Sequence, residues 1–279
     1  MKFFKELLLG YKNYWLGSKF LIEHKLLLYF IFPLILFIGV FLLGNYFQDI
    51  EANINSDLET GSEQIETVNL IIWVSLKMLF FDALYIIFTQ FTLYIVVVLL
   101  SPILTILSQK IETLLTGNKY PFSFKNLIHD IKRGAVIALR NLVWYYIFVG
   151  IFLGIISLFD LSAKSFIIFA IPFIVGFYYY GFSFIDYVNE RRRLNIQQSV
   201  YFVSKHKGLA IAIGSVYSIL FLFYFYISNN KPDLVANFGL AQLWDALSWI
   251  LLTLAALSPI VAISAATLSM HEIVDLQKK

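Results

Sequence analysis

Residues 26–48 read LLLYFIFPLILFIGVFLLGNYFQ, twenty-three positions without one charge. An α-helix rises 1.5 Å per residue, so about 20 residues cross the roughly 30 Å hydrocarbon layer of a bilayer. This run is long enough to do so. A cleavable secretory signal has an apolar stretch of about 7–15 residues followed by small residues at the cleavage point. Here the run ends on Gly44-Asn45-Tyr46-Phe47-Gln48, so the segment reads as a retained anchor.

Outward from this run the same pattern recurs at 83–109, 141–159, 165–185, 208–230 and 246–271, giving six uncharged runs of spanning length. An apolar stretch over 67–81, broken only by Lys77, precedes Asp82 and the second run. That helix is expected to be long and to project beyond the bilayer. Hydrophobic residues make up 59% of the 279 positions and charged residues 14%. A soluble domain is nearer 45–50% apolar and about 25% charged, and no stretch here is polar enough to form one. The expectation is an all-α polytopic integral membrane protein, one membrane domain over 1–279, with about six apolar helices and amphipathic interfacial helices besides.

The segments between runs alternate in charge. Residues 1–25 hold five Lys against two Glu, 110–140 hold six bases against two acids, and 186–207 hold five bases against two acids. Residues 49–66 hold six acids and no base. Lys and Arg resist translocation, so basic segments stay cytoplasmic. Eighteen of the 21 bases then fall on one side, two on the other, and Lys77 in or near the membrane. Both termini, the connection 105–140 and the basic loop 186–207 are expected inside, and the acidic loop 49–66 outside.

Two cytoplasmic segments are amphipathic. Ser123 is placed to cap a helix over 124–139 with Phe124, Leu127, Ile128, Ile131 and Ala135 on one face and Lys125, Lys132 and Arg133 away from it. Residues 1–25 set Phe3, Phe4, Leu7, Leu8, Tyr11 and Trp15 among Lys2, Lys5 and Lys12. Such helices lie in the headgroup layer or pack beneath the bundle, and the pattern fits both. Gly150 and Gly154 form a GxxxG pair, and Ser258, Ala262 and Ala266 form a small-residue ridge, both expected to bring helices close. Pro33, Pro102, Pro172 and Pro259 fall in or near apolar runs, where proline can bend a helix.

No chemistry-bearing motif competes with this. With no cysteine, disulfides, thiolate metal sites and cysteine nucleophiles are excluded, and the four histidines are not at metal-ligand spacing. No phosphate-cradling glycine loop, nucleophile elbow or paired acids in a cleft points to an enzyme, and no cofactor or metal is implied. A net charge of +3 with no basic domain argues against nucleic-acid binding. Arg191-Arg192-Arg193 beside a membrane end reads as a topology determinant in contact with anionic lipid, or as part of a substrate site. Lys77 and Asp82 are the charges inside a long apolar stretch; they read as interfacial residues or as a pathway or ion pair.

The order of pieces resembles the CysZ sulfate permease family, within the etoposide-induced-protein-like superfamily. The resemblance runs from about Gly10 to the last helix. It rests on Gly10-Tyr11-Lys12, Pro33, Ser101-Pro102-Ile103 running into Gln109-Lys110-Ile111-Glu112 and Leu115-Thr116-Gly117, then Phe184-Ile185-Asp186-Tyr187 and the helix opened by Gly208 to Gly214. It implies a channel-like or permease-like inner-membrane protein without an ATPase of its own, forming homo-oligomers. It also implies that the last four apolar helices form two hairpins that enter the bilayer partly. Family members carry Gly and adjacent Arg before the first span, where this chain has His24-Lys25-Leu26-Leu27-Leu28. An oxyanion wants Arg forks or helix-terminus amides, and here His24 and Lys25 at a helix start are the remaining candidates to hold it. The six acids of 49–66 would repel an approaching anion within a Debye length of about 8 Å. Two functions follow: a permease or channel for a small inorganic anion such as sulfate, or a non-transporting membrane protein that organises partners or lipid.

Overall fold

A computed structural model describes residues 2–39, 42–43, 46, 50, 96, 98–120, 123–159, 166–232 and 238–274. Lys77, Asp82 and nearly all of the acidic loop 49–66 lie outside them. The chain groups into two compact units, 35–99 and a larger one of 1–34 with 100–279. The described residues of the smaller unit are helical. In the larger unit the helices are α1 (Lys2–Glu23), α2 (Ser101–Thr116), α3 (Phe124–Ile156), α4 (Phe166–Arg191), α5 (Ile196–Lys205), α6 (Lys207–Asn229) and α7 (Phe238–Val274). No strand occurs among the described residues.

Among the described residues, four helices are long and apolar enough to cross a membrane: Lys132–Ile156 within α3, Phe166–Arg191, Lys207–Asn229 and Gly239–Val274. A fifth crossing is available if α1 and the helical segment starting at Leu26, which meet at 113°, count as one broken span. At that bend Lys25 takes the left-handed conformation, φ 56° and ψ 37°, ahead of a 3-10 turn, Leu26–Phe30. The expectation of a polytopic all-helical protein holds.

Several expected boundaries do not. Residues 124–139 are not a separate interfacial helix; α3 runs unbroken for 33 residues, about 50 Å. Nothing between 124 and 156 removes a backbone donor, and helix propagation costs little once begun. The basic loop 186–207 holds the end of α4, a four-residue link and the ten-residue α5, capped by Asn195 and Gln198 exchanging side-chain and backbone bonds at 2.8 and 2.9 Å. Pro102 bends nothing: it sits in the first turn of α2, where its missing N–H is unneeded. Pro172 and Pro259 do lie inside α4 and α7. Gly117, at φ 76°, ends α2.

The closest packing is between α4 and α6. A Cβ added at Gly181 would overlap the Ala210 carbonyl oxygen, and one at Gly214 the Phe177 carbonyl oxygen. The two glycines let backbones touch, as small residues do in lipid. Around them Tyr180, Phe184 and Tyr217 stack edge to face, with centroids 5.2–6.2 Å apart. Gly150 and Gly154, by contrast, have open space beside them, so that pair joins no described helix. The ridge Ser258, Ala262 and Ala266 is buried as expected.

α1 is built inside out. Its buried residues are Glu6, Gly10, Asn13, Gly17 and Leu21, while Phe4, Leu8, Trp15 and Ile22 are exposed. Asn13 Nδ2 donates to Ser269 Oγ and Glu272 Oε1 of α7, each at 3.0 Å, and Tyr11 OH meets Ser215 Oγ of α6 at 2.8 Å. Small and polar residues inward with aromatics outward is the arrangement lipid favours.

Candidate functional site

Two of the motifs that carried the resemblance, 101–117 and 184–187, meet in one buried polar cluster. Successive turns of α2 place Ser101, Thr105, Ser108 and Glu112 on one buried stripe. Glu112 Oε2 accepts from Arg191 Nε at 2.8 Å, with both side chains about 95% buried. Arg191 Nη2 donates to Ser108 Oγ at 2.7 Å and Nη1 to the Tyr187 carbonyl at 2.9 Å. Ser108 in turn meets Thr267 of α7 at 2.7 Å. Tyr120 OH donates to Glu112 Oε1. Burial first, and the Glu112 carboxylate second, hold the Tyr120 phenol well above its ordinary range.

A second pair stands beside the first. Arg133 of α3 grips Asp186 of α4 with both prongs, Nε to Oδ2 at 3.1 Å and Nη2 to Oδ1 at 2.9 Å, and Nη1 donates to the Leu194 carbonyl at 2.5 Å. Ser199 Oγ of α5 donates to Asp186 Oδ1 at 2.5 Å and accepts from Asn189 Nδ2 at 3.0 Å. Three helices, α3, α4 and α5, are thus tied through one carboxylate.

Between the pairs opens a cleft of about 480 Å³, lined by Thr105 and Gln109 of α2, His129 and Arg133 of α3, Tyr187, Glu190 and Arg191 of α4, and Arg193, Leu194 and Asn195 of the following link. Glu190 lies 3.6 Å from His129 Nδ1 and 4.0 Å from Arg133 Nε. Arg193, exposed and left-handed at φ 59°, makes no ion pair among the described residues. Deeper in, Thr105 Oγ1 is buried without a hydrogen-bond partner. One turn further, Ser101 Oγ and Tyr187 OH lie 3.9 and 4.0 Å from where a Cβ on Gly134 would sit. The cleft therefore offers donors and hydroxyls beside the acid Glu190, with the Arg133 and Arg191 guanidinium groups already engaged by carboxylates.

The residues singled out from sequence lie elsewhere. His24 is exposed, stacked on Phe20 at 3.9 Å with Nδ1 3.0 Å from the Phe20 carbonyl. Lys25 does stand where a helix begins, but its side chain caps nothing, and neither residue lines the cleft. Lys77 and Asp82 lie outside the described residues. Reading Arg191–Arg193 as one basic run missed that its first member is buried. The usable signal was Asp186 and Glu112, acids at the ends of apolar stretches, each needing a buried cation.

Long apolar helices, glycine-mediated crossings and an inward polar stripe define a multi-pass helical membrane protein with a polar crevice in its bundle. The profile of the family described as Sulfate transporter CysZ/Etoposide-induced protein 2.4 matches residues 13–228, and the chain belongs to that family. Among curated proteins none matches.

Proposed function

We propose that this protein is a channel-like permease for a small inorganic anion such as sulfate, acting in the inner membrane as a homo-oligomer with both termini cytoplasmic and not as an enzyme. The observation that carries it is the cleft lined by Thr105, Gln109, Tyr187 and three arginines, Arg133, Arg191 and Arg193, with one acid, Glu190, a polar crevice inside an apolar bundle. Conduction needs a site that admits an ion and releases it again. Arginines held by Asp186 and Glu112 supply positive character without gripping an oxyanion bidentately. The family's printed description supports sulfate as the first anion to try.

In proteoliposomes the wild type is expected to pass labelled sulfate. Thr105→Val, which removes the unpartnered hydroxyl at nearly constant shape, should lower that flux. Arg193→Gln should lower it most at low salt, with the deficit shrinking as the Debye length falls from about 10 Å at 0.1 M to about 3 Å at 1 M. Lys25→Gln, run alongside, tests the mouth proposed from sequence: loss there with Thr105→Val silent moves the path to the bend. Absence of flux for every small anion tried favours a non-transporting organiser of partners or lipid, a function that the engaged arginines and the acidic loop also suit.

The absence of native cysteine gives a clean topology test. Single cysteines at Ser56 and Ser123 should be labelled by an impermeant thiol reagent from outside and inside respectively. Ser199 is fully buried against Asp186, so Gln197, exposed on α5, is the informative inner position there. Labelling of Gln197→Cys from outside intact cells would overturn the cytoplasmic placement.

A further inference from the structure

A second groove, of about 520 Å³, runs along the outer face of α5. Four residues join α4 to α5 and one, His206, joins α5 to α6. Both neighbours are spanning helices, so links this short hold α5 at the boundary between hydrocarbon and water. Its inward side is Ser199 and Val203, both fully buried. Its outward side presents Gln197, Gln198, Tyr201 and Lys205, with Tyr201 66% exposed. Lys205 Nζ stands 5.3 Å over the Tyr201 ring. Arg192, at the other end, lies 5.2 Å over the Phe202 ring and 3.4 Å from Asn189 Oδ1. No acid lines the groove; Glu6 of α1 is bonded to His206 Nδ1 at 2.8 Å on its rim.

We propose that this groove binds the phosphate of an acidic phospholipid headgroup. A phosphodiester presents charged oxygens to the Arg192 fork and the Lys205 ammonium, and the Gln197 and Gln198 amides suit the hydroxyls of a glycerol headgroup. An exposed tyrosine at headgroup depth is the usual interfacial anchor, and cations next to a membrane end attract anionic lipid. Arg192 and Lys205 form the binding pair; Tyr201 sets the depth.

The test measures lipid retained by the full chain, purified in detergent and exchanged against mixtures of phosphatidylglycerol and phosphatidylcholine, by native mass spectrometry. The wild type should retain phosphatidylglycerol preferentially. One cation near the surface is worth about 1 kcal/mol, about fivefold, so Arg192→Gln or Lys205→Gln should lower the preference about fivefold and the double variant about thirtyfold. Arg192→Lys with Lys205→Arg, which keeps both charges, should retain it and serves as the control for folding. Lys5→Gln with Lys19→Gln removes equal charge elsewhere and should leave it unchanged. Equal retention of both lipids by the wild type, or equal loss in the Lys5/Lys19 control, overturns the site. Displacement of the lipid by millimolar inorganic phosphate overturns the headgroup as the ligand in favour of free phosphate.

Discussion

Asp186→Ala is expected to destabilise the folded protein by roughly 3–5 kcal/mol, the usual consequence of leaving one partner of a buried ion pair alone. Asp186 accepts two bonds from Arg133 and one from Ser199, and the Arg133 side chain is only 11% exposed. Glu190, 4.0 Å from Arg133 Nε, also faces His129 and offsets only part of the loss of Asp186, which holds the guanidinium with two bonds. Arg133→Met should cost a similar amount. The double variant Arg133→Met, Asp186→Leu should cost much less than the sum, because the desolvation of both charges vanishes with them. Unfolding in mixed micelles measures all three. Additive losses would show that the two residues act independently and that the cluster does not hold α3, α4 and α5 together.

Gly181→Val should have an effect at least as large. The added Cβ alone would lie on the Ala210 carbonyl and 2.9 Å from the Gly214 nitrogen, both backbone atoms that no rotamer change can move. Overpacking typically costs about 1–3 kcal/mol where side chains can adjust; here two helices must separate, so loss of the folded state is expected. Gly150→Ala is the contrasting variant. Nothing lies within 4 Å of that position, and alanine is the better helix former by up to about 1 kcal/mol. It should be neutral or mildly stabilising in a thermal-unfolding series. The reverse ranking would place the main helix crossing on α3 and refute the arrangement described above.

The sequence made the helices legible because lipid imposes one rule, length without charge, on every crossing. It did not show which glycines pack. Gly150 and Gly154 match a motif but face open space, whereas Gly181 and Gly214 belong to no shared motif because they come from different helices. The cleft was half legible. Glu112 and Asp186 stood inside quoted segments, yet their partners Arg191 and Arg133 read as members of basic surface runs. Charge counting sees a run's sum, and only the fold assigns Arg191 to the interior, Arg192 to the α5 groove and Arg193 to the cleft mouth. His24 and Lys25 drew notice by position along the chain, which says nothing about which helix ends meet in space.

The inside-out face of α1 also constrains how the chain comes off the ribosome. The partners of Gly10, Asn13 and Gly17 are Ala212, Ser269 and Ser264, so α1 docks only after α6 and α7 have been made. Gly17 and Ser264 are 247 residues apart, and synthesis at about 5–20 residues per second separates them by roughly 12–50 s. For that interval Asn13 lacks Ser269 and Glu272, the partners that satisfy it in the fold, and a polar side chain in hydrocarbon is costly. α1 therefore waits in water or among headgroups until α6 and α7 arrive, and only then do its buried polar residues gain their partners.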